Sequence, residues 1–115
     1  MATFIGAFPV LPGKDDDARK FAQETMGRSE EFSASQKRGG VTKEQWALQQ
    51  SPMGSLVLVH FEANDIEKAF AVLAQSSEDF DVWFRGRVQE VSGVDLGAAP
   101  EGPLRNSAGL RWVKP

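Results

Sequence analysis

The chain has 115 residues, with 13 basic and 16 acidic side chains, a net charge of −3 and no cysteine. This length suits a single domain that folds without covalent cross-links, and the lack of cysteine excludes disulfides, thiolate nucleophiles, cysteine-based zinc sites and iron–sulfur clusters. The negative charge argues against nucleic acid as a partner, because binding to phosphates needs a basic surface.

The first segment, residues 1–12, predicts neither export nor membrane insertion. It has no basic residue ahead of its apolar run and is followed by three aspartates, which is not the pattern of a secretory signal. No apolar run in the chain approaches the ~20 residues that a membrane helix needs. We therefore expect a cytoplasmic protein with no membrane partner.

A strand and a helix are predicted first. Over Thr3–Val10, Phe4 and Phe8 alternate with Ile5, so the pattern is that of a strand with two apolar faces. From Lys14 to just before Gly39, apolar residues recur at intervals of three and four, which predicts one helix. Its acidic first turn favours the positive end of the helix dipole.

A β-hairpin is predicted in the middle of the chain. Thr42–Gln50 would also allow a helix start, but it is short and runs into the turn signal Ser51–Gly54, so we interpret it as a strand paired with Ser55–Ala63. Trp46 then lies near the centre of the pairing. On the second strand, alternation separates one row, Leu56, Leu58, His60 and Glu62, from another, Val57, Val59 and Phe61.

Two further helices follow the hairpin. Asn64, with Glu67 three residues later, predicts a capped helix start, and a second helical pattern ends at Gly93, a residue suited to the C-terminal cap. The break between these helices is predicted at Ser76–Ser77. Residues 97–115 are expected to contain a loop and then either a short last strand, Leu110–Val113, or an extended arm.

The order of elements predicts one α+β domain over residues 1–115. Strand, helix, strand, strand, helix and strand is the split βαβ order of the ferredoxin-like fold, an antiparallel sheet with helices on one face. The other face would expose several hundred Å² of hydrocarbon, more than a soluble monomer usually carries. We therefore expect a homodimer that packs sheet against sheet.

Several local motifs resemble the dimeric α/β-barrel superfamily. The resemblance extends over roughly residues 4–96. Over this range the chain also resembles a small bacterial domain family without assigned activity. The motifs are Trp46, Ser51-Pro-Met-Gly54, Phe61-Glu-Ala-Asn-Asp65, Phe80-Asp-x-Trp-Phe84 and Gly93-Val-Asp95. This resemblance implies the ferredoxin-like fold in its dimeric barrel form.

The resemblance implies a fold but no single activity, because members of this superfamily differ in what they do. The superfamily includes cofactor-free oxygenases, polyketide cyclases, haem-degrading enzymes and stress-response proteins. The catalytic sets of these members do not transfer residue by residue. Haem-degrading members use a histidine on a helix, whereas His60 is predicted on a strand, and cyclase-like members use a tyrosine, which this chain lacks.

His60 is the candidate catalytic residue, because histidine is the side chain that ordinarily titrates near neutral pH. Glu62 lies on the same predicted face and could orient His60 or share a metal with it. Two ligands rarely hold a metal, so no metal site is expected. The interpretation that we favour is structural: a strand histidine that bonds a carboxylate or lies at a dimer contact.

Trp46 and Trp83 are candidate ligand-binding residues together with His60 and Glu62. Large rings can line an apolar cleft, but helical spacing of Trp83 with its aromatic neighbours is more typical of core packing. Asp81 and Arg85, four residues apart on a predicted helix, fit a surface ion pair.

Three functional hypotheses remain open. The first is a homodimer that binds a small apolar or aromatic ligand between sheet and helices, without a cofactor. The second is a cofactor-free monooxygenase or polyketide-cyclase-like enzyme, with His60 as general base and Trp46 shaping the pocket. The third is a haem-binding protein, in which His60 would be the axial ligand.

Overall fold

The structure, a computed structural model, describes residues 1–98 and the backbone of residues 110–113. Its strands are β1 (Ala2–Pro9), β2 (Val41–Ser51), β3 (Gly54–Ala63) and β4 (Leu110–Val113). Its helices are α1 (Asp15–Gly27), α2 (Ser29–Gly39), α3 (Ile66–Gln75) and α4 (Asp79–Ser92). Most of the predicted loop, residues 99–109, and the side chain of Trp112 lie outside the described residues.

The strands form one antiparallel sheet in the order β2-β3-β1-β4. This order is compatible with a ferredoxin-like fold, and it confirms the predicted α+β class. The predicted hairpin is confirmed as well, with Trp46 opposite Val59 near its centre. Gly54 closes the hairpin turn at φ 123°, a conformation that side chains with a Cβ rarely adopt.

Alternate residues of the sheet face opposite sides, as predicted. One side, which we call the covered face, carries Phe4 of β1 opposite Phe61 of β3. Residues of both hydrophobic clusters lie on it, including Trp46 of β2. The other side, the open face, carries Ile5 opposite His60, and Ile5 is 48% exposed. The clusters of residues 1–98 contain no residue from the open face.

The single helix predicted after β1 is wrong, because α1 and α2 are separate helices that meet at Arg28. Gly27, a weak helix former, precedes the break, and the backbone of Arg28 leaves the helical conformation at ψ 38°. The Arg28 guanidinium bonds Glu31 and lies 4.6 Å from the centre of the Trp83 ring. The local bond to Glu31 and the contact with Trp83 of α4 hold this corner, which the predicted helical spacing does not show.

Of the predicted ends of the later helices, one is wrong and the others are confirmed. The cap of α3 is Asp65 rather than Asn64: the Asp65 carboxylate accepts a hydrogen bond from the backbone N–H of Lys68 at 3.0 Å. The predicted break between α3 and α4 is confirmed. So is Gly93 as the C-terminal cap of α4, at φ 76°. Within the described part of the chain, no helix is both long and apolar enough to span a membrane.

The core consists of two clusters on the covered face. The first joins β1 and β3 to α3 through Phe4, Phe61, Ala63, Ile66 and Ala69. The second joins α1 and α4 through Val10, Ala18, Phe21, Phe80, Phe84 and Val91. Residues of both clusters also border a cavity between the sheet and the helices.

Candidate functional site

The cavity has a volume of about 360 Å³. That size lies within the range of small-molecule sites, which are mostly apolar clefts with a few polar groups. Its wall is formed by β1, β2 and β3 on one side and by α1, α2, α3 and α4 on the other. The rings that line it include Trp46, Phe21, Phe32, Phe70, Phe80 and Phe84.

The aromatic wall is centred on Trp46. The centre of its ring lies 5.4 Å from that of Phe21, 5.9 Å from that of Phe32 and 5.8 Å from that of Phe84. These separations are typical of attractive contacts between aromatic rings. Trp46 reaches this place because alternation along β2 points it to the covered face, where one ring each from α1, α2 and α4 meets it.

Glu44 is the carboxyl group among the described residues that line the cavity. It precedes Trp46 by two residues on β2 and pairs with Phe61 on β3, so it also lies on the covered face. Trp46 Nε1 donates a hydrogen bond to Glu44 Oε2 at 2.6 Å, and Gln36 Nε2 donates one to Oε1 at 3.3 Å. Within residues 1–98, no basic side chain forms an ion pair with Glu44.

The surroundings of Glu44 shift its protonation. Removal from water raises the pKa of the carboxyl group, because the apolar wall disfavours its charged form. The hydrogen bonds from Trp46 and Gln36 oppose this rise but do not cancel it. A carboxyl with a raised pKa that faces a cavity is typical of a functional site.

A second polar cluster joins α2 to α4 and reaches the cavity wall at Ser35. Asp81, which is 1% exposed, accepts hydrogen bonds from the Ser35 hydroxyl and from Arg38 Nη2, the latter at 2.9 Å. Burial acts to raise its pKa, but the bonds from Ser35, Ser76 and Arg38 outweigh burial and hold the pKa below its ordinary value. This cluster therefore holds the ionised carboxylate in place as a structural link.

The predicted surface pair of Asp81 with Arg85 is wrong. Asp81 faces α2 and is buried there, whereas Arg85 donates to the backbone carbonyls of Leu73 at 2.7 Å and Ser76 at 2.8 Å. Helical spacing brings the two residues to neighbouring positions, but tertiary packing offers each of them a better partner. Arg85 thereby satisfies carbonyl groups at the end of α3, which the helix itself leaves without donors.

The structure separates the four residues that were predicted to bind a ligand. Trp46 lines the cavity. Trp83 packs beside it, with its ring 5.6 Å from that of Phe21, but does not line it. His60 and Glu62 lie on β3 and point to the open face. A role of His60 as base or haem ligand would therefore need a pocket on that face.

His60 differs from Glu44 in its hydrogen bonding. Its Nδ1 atom is buried and has no hydrogen-bond partner among the described residues. Its neighbours across the strands are Ile5 on β1 and Gln45 on β2. The carboxylate partner that the structural interpretation allowed does not bond Nδ1 within this part of the chain.

Sequence reasoning did not identify Glu44 or Gln36 as site residues. A signal for Glu44 exists: Glu44, Trp46 and Leu48 occupy alternate positions on the strand, so a carboxylate interrupts an apolar row. For Gln36 there is no such signal, because its position opposite Glu44 depends on how α2 packs against β2.

Comparison with known proteins returns no relative. No family model matches the chain, and no curated protein and no solved structure matches it at a significant level. Among the described residues, no three histidine, aspartate or glutamate side chains converge so that they could hold a metal ion. The cavity and Glu44 are therefore the features of the described residues that indicate a function.

Proposed function

We propose that this protein is a small homodimeric domain that binds a small apolar or aromatic molecule in the cavity between sheet and helices. The observation that supports the proposal is an aromatic-walled space of about 360 Å³ that contains a carboxyl group. Rings that pack on one another hold the wall open before a ligand enters. A preformed site loses little affinity to ordering on binding.

Burial of the ligand would supply most of the affinity. Each Å² of apolar surface removed from water contributes roughly 25 cal/mol, and flat rings gain additional contacts with aromatic walls. Trp46 lies at the centre of this wall and its fluorescence should respond to a bound molecule.

Fluorescence of N-phenyl-1-naphthylamine, an uncharged probe that brightens in apolar surroundings, tests the proposal. We expect saturable brightening with the purified protein. Ala22 lines the cavity, so Ala22→Phe should fill part of it and weaken probe binding about tenfold or more. Ala34 is exposed on α2, so Ala34→Phe is the matched control and should bind as the wild type does. Absence of saturable binding, or equal binding by both variants, would contradict the proposal.

The homodimer is proposed from the open face. Ile5 is 48% and Leu56 is 37% exposed there, and the buried Nδ1 atom of His60 lacks a partner among the described residues. A second copy packed on this face would cover the apolar side chains and could supply a partner for Nδ1. The result would be a dimeric α/β barrel, in which two sheets enclose a common interior.

Light scattering behind a sizing column tests the dimer. We expect twice the mass of one chain at micromolar concentration. Ile5→Lys should give monomers because it places a charge in the contact. Val82, 50% exposed on α4, supplies the control Val82→Lys, which should remain dimeric. A wild-type monomer would overturn this part of the proposal and leave the cavity proposal intact.

A further inference from the structure

We propose further that Glu44 makes the cavity selective for molecules that carry one protonated amine on an apolar ring body, and that it disfavours carboxylates. The inference rests on the proposed ligand-binding function and names the class of ligand. It follows from three features of the site: the charges that face the cavity, the free bonding capacity of Glu44 and the aromatic wall.

The charges that face the cavity are unbalanced towards the negative. Glu44 and Arg19 are the charged side chains among the described lining residues. Arg19 is exposed, and its Nη1 bonds Asp16 Oδ1 at 2.9 Å, so its charge is already paired. The donors to Glu44, Trp46 and Gln36, are both neutral. An entering cation would therefore supply the charge that the protein does not place beside Glu44.

The Glu44 carboxylate has capacity for such a partner. An ionised carboxylate offers about four lone-pair sites, and each oxygen of Glu44 accepts one hydrogen bond from the described residues. An ammonium group has three donors and no acceptor, so its donors match the lone-pair sites of Glu44 that remain free. A ligand carboxylate would instead meet like charge, and Arg19 could serve it only by leaving Asp16.

The aromatic wall favours the same charge. The faces of tryptophan and phenylalanine rings are electron-rich and attract cations, most strongly where water is excluded. Trp46, Phe21, Phe32 and Phe84 stand around the space into which Glu44 projects. A ligand with an aromatic ring and an ammonium group on a short chain can thus place its ring among the aromatic side chains and its charge beside the Glu44 carboxylate.

Binding of an amine should be coupled to the protonation of Glu44. Because removal from water raises the pKa of Glu44, its carboxyl group keeps its proton to a higher pH than an ordinary glutamate does, and an ammonium ligand must drive off that proton. Other charged groups nearby are Arg19 with Asp16 on α1, and the Asp81–Arg38 pair behind Ser35. The lining residues of α3 and α4 carry no titratable side chain.

Three naphthyl compounds with the same ring test the selectivity by calorimetry: 2-(1-naphthyl)ethylamine, 2-(1-naphthyl)ethanol and 3-(1-naphthyl)propionate. We expect the amine to bind about tenfold more tightly than the alcohol, and the carboxylate about tenfold more weakly. Glu44→Gln should bring the amine and the alcohol to within about twofold of each other. Glu62→Gln, the same change on the open face, should leave the wild-type order unchanged.

The outcomes separate this inference from the proposed function. Equal binding of amine and alcohol, or an amine preference that survives Glu44→Gln, overturns the inference, and bound N-phenyl-1-naphthylamine would then still support the cavity. Failure of every probe overturns both. Should Glu44→Gln not fold, a pH series on the wild type decides: the affinity ratio of amine to alcohol should rise as pH increases above 4.5, the ordinary pKa of a glutamate, and a constant ratio overturns the inference.

Discussion

The two faces of the sheet are built from the same strands, yet they differ in the hydrogen bonding of their polar side chains. On the covered face, Glu44 is half-buried beside the aromatic wall and accepts hydrogen bonds from two neighbours. On the open face, His60 presents a buried Nδ1 atom without a partner among the described residues. Buried polar groups are normally satisfied, so the bonding of Glu44 follows the usual pattern and that of His60 departs from it.

The apolar residues show the same contrast. Phe4 is fully buried on the covered face, and its ring lies 5.1 Å from both Phe61 and Phe70. Ile5, the next residue, is 48% exposed. Neighbouring residues of one strand thus contribute to different processes: Phe4 to the folding of the chain, and Ile5 to the proposed assembly of two chains.

The largest effect is expected from Phe4→Ala. Removing a buried ring leaves a cavity and should lower the free energy of unfolding by about 3–5 kcal/mol, whereas Ile5→Ala should cost about 1 kcal/mol or less in a dilute sample. Urea unfolding measures both. The cost of Ile5→Ala should also grow with protein concentration if dimers form, while that of Phe4→Ala should not. Equal costs in dilute solution would erase the proposed difference between the faces.

Asp81→Ala should have the next largest effect, because it removes a buried carboxylate that joins α2 to α4. We expect a loss of about 2–3 kcal/mol in the free energy of unfolding, since Arg38 is 35% exposed and can turn to water. Asp79→Ala, which changes an exposed residue near Asp81 on α4, is the control. It should lower the free energy of unfolding by about 0.5 kcal/mol. A similar cost for both variants would show that the cluster contributes little.

The pH dependence of Asp81 has a defined sign. Its pKa is lowered in the folded state, so its contribution is complete above the ordinary value of 3.8 and is lost as pH falls below that value through the folded pKa. Acid unfolding of wild type and Asp81→Ala should therefore converge below pH 3.8. Parallel curves throughout this range would contradict the assignment.

Glu44→Gln should change the free energy of unfolding by less than Asp81→Ala does, and the contribution of Glu44 should depend on pH in the opposite direction. Its pKa is raised, so the folded state binds the proton more tightly than the unfolded state, and stability falls as pH rises from 4.5 through the folded pKa. The glutamine variant cannot ionise and should become more stable relative to wild type over that range, by about 1 kcal/mol or less. Thermal melts across the pH series measure this difference. A variant that loses stability relative to wild type as pH rises would be inconsistent with a desolvated Glu44.

The smallest effect is expected from His60→Leu. In dilute samples the change should alter the free energy of unfolding by about 1 kcal/mol or less, and in the stabilising direction, because it removes a buried atom that has no hydrogen-bond partner among the described residues. If the second copy supplies a partner for Nδ1, the dimer of this variant should be weaker and should dissociate at a higher concentration than that of the wild type. A clear loss of stability in dilute protein would instead indicate that His60 already contributes within one chain.

Local pattern predicted much of the fold and one wall of the site. Alternation along β1 and β3 identified both faces of the sheet, and the predicted hairpin placed Trp46 near the centre of its pairing. The break between α3 and α4 and the cap at Gly93 were also predictable. Each of these features depends on residues close together in the chain, where periodicity and backbone preference act directly.

Tertiary structure alone decided the rest, because it depends on which surfaces meet. The spacing of apolar residues does not show that Arg28 turns the chain between two helices, or that Asp81 finds its partners on α2 instead of at Arg85. The same is true of Glu44: the sequence places a carboxylate on an apolar row, but only the packing of α2 against β2 brings Gln36 to it and encloses both beside the cavity. Desolvation is a property of the assembled surroundings, and no single segment of the chain carries it.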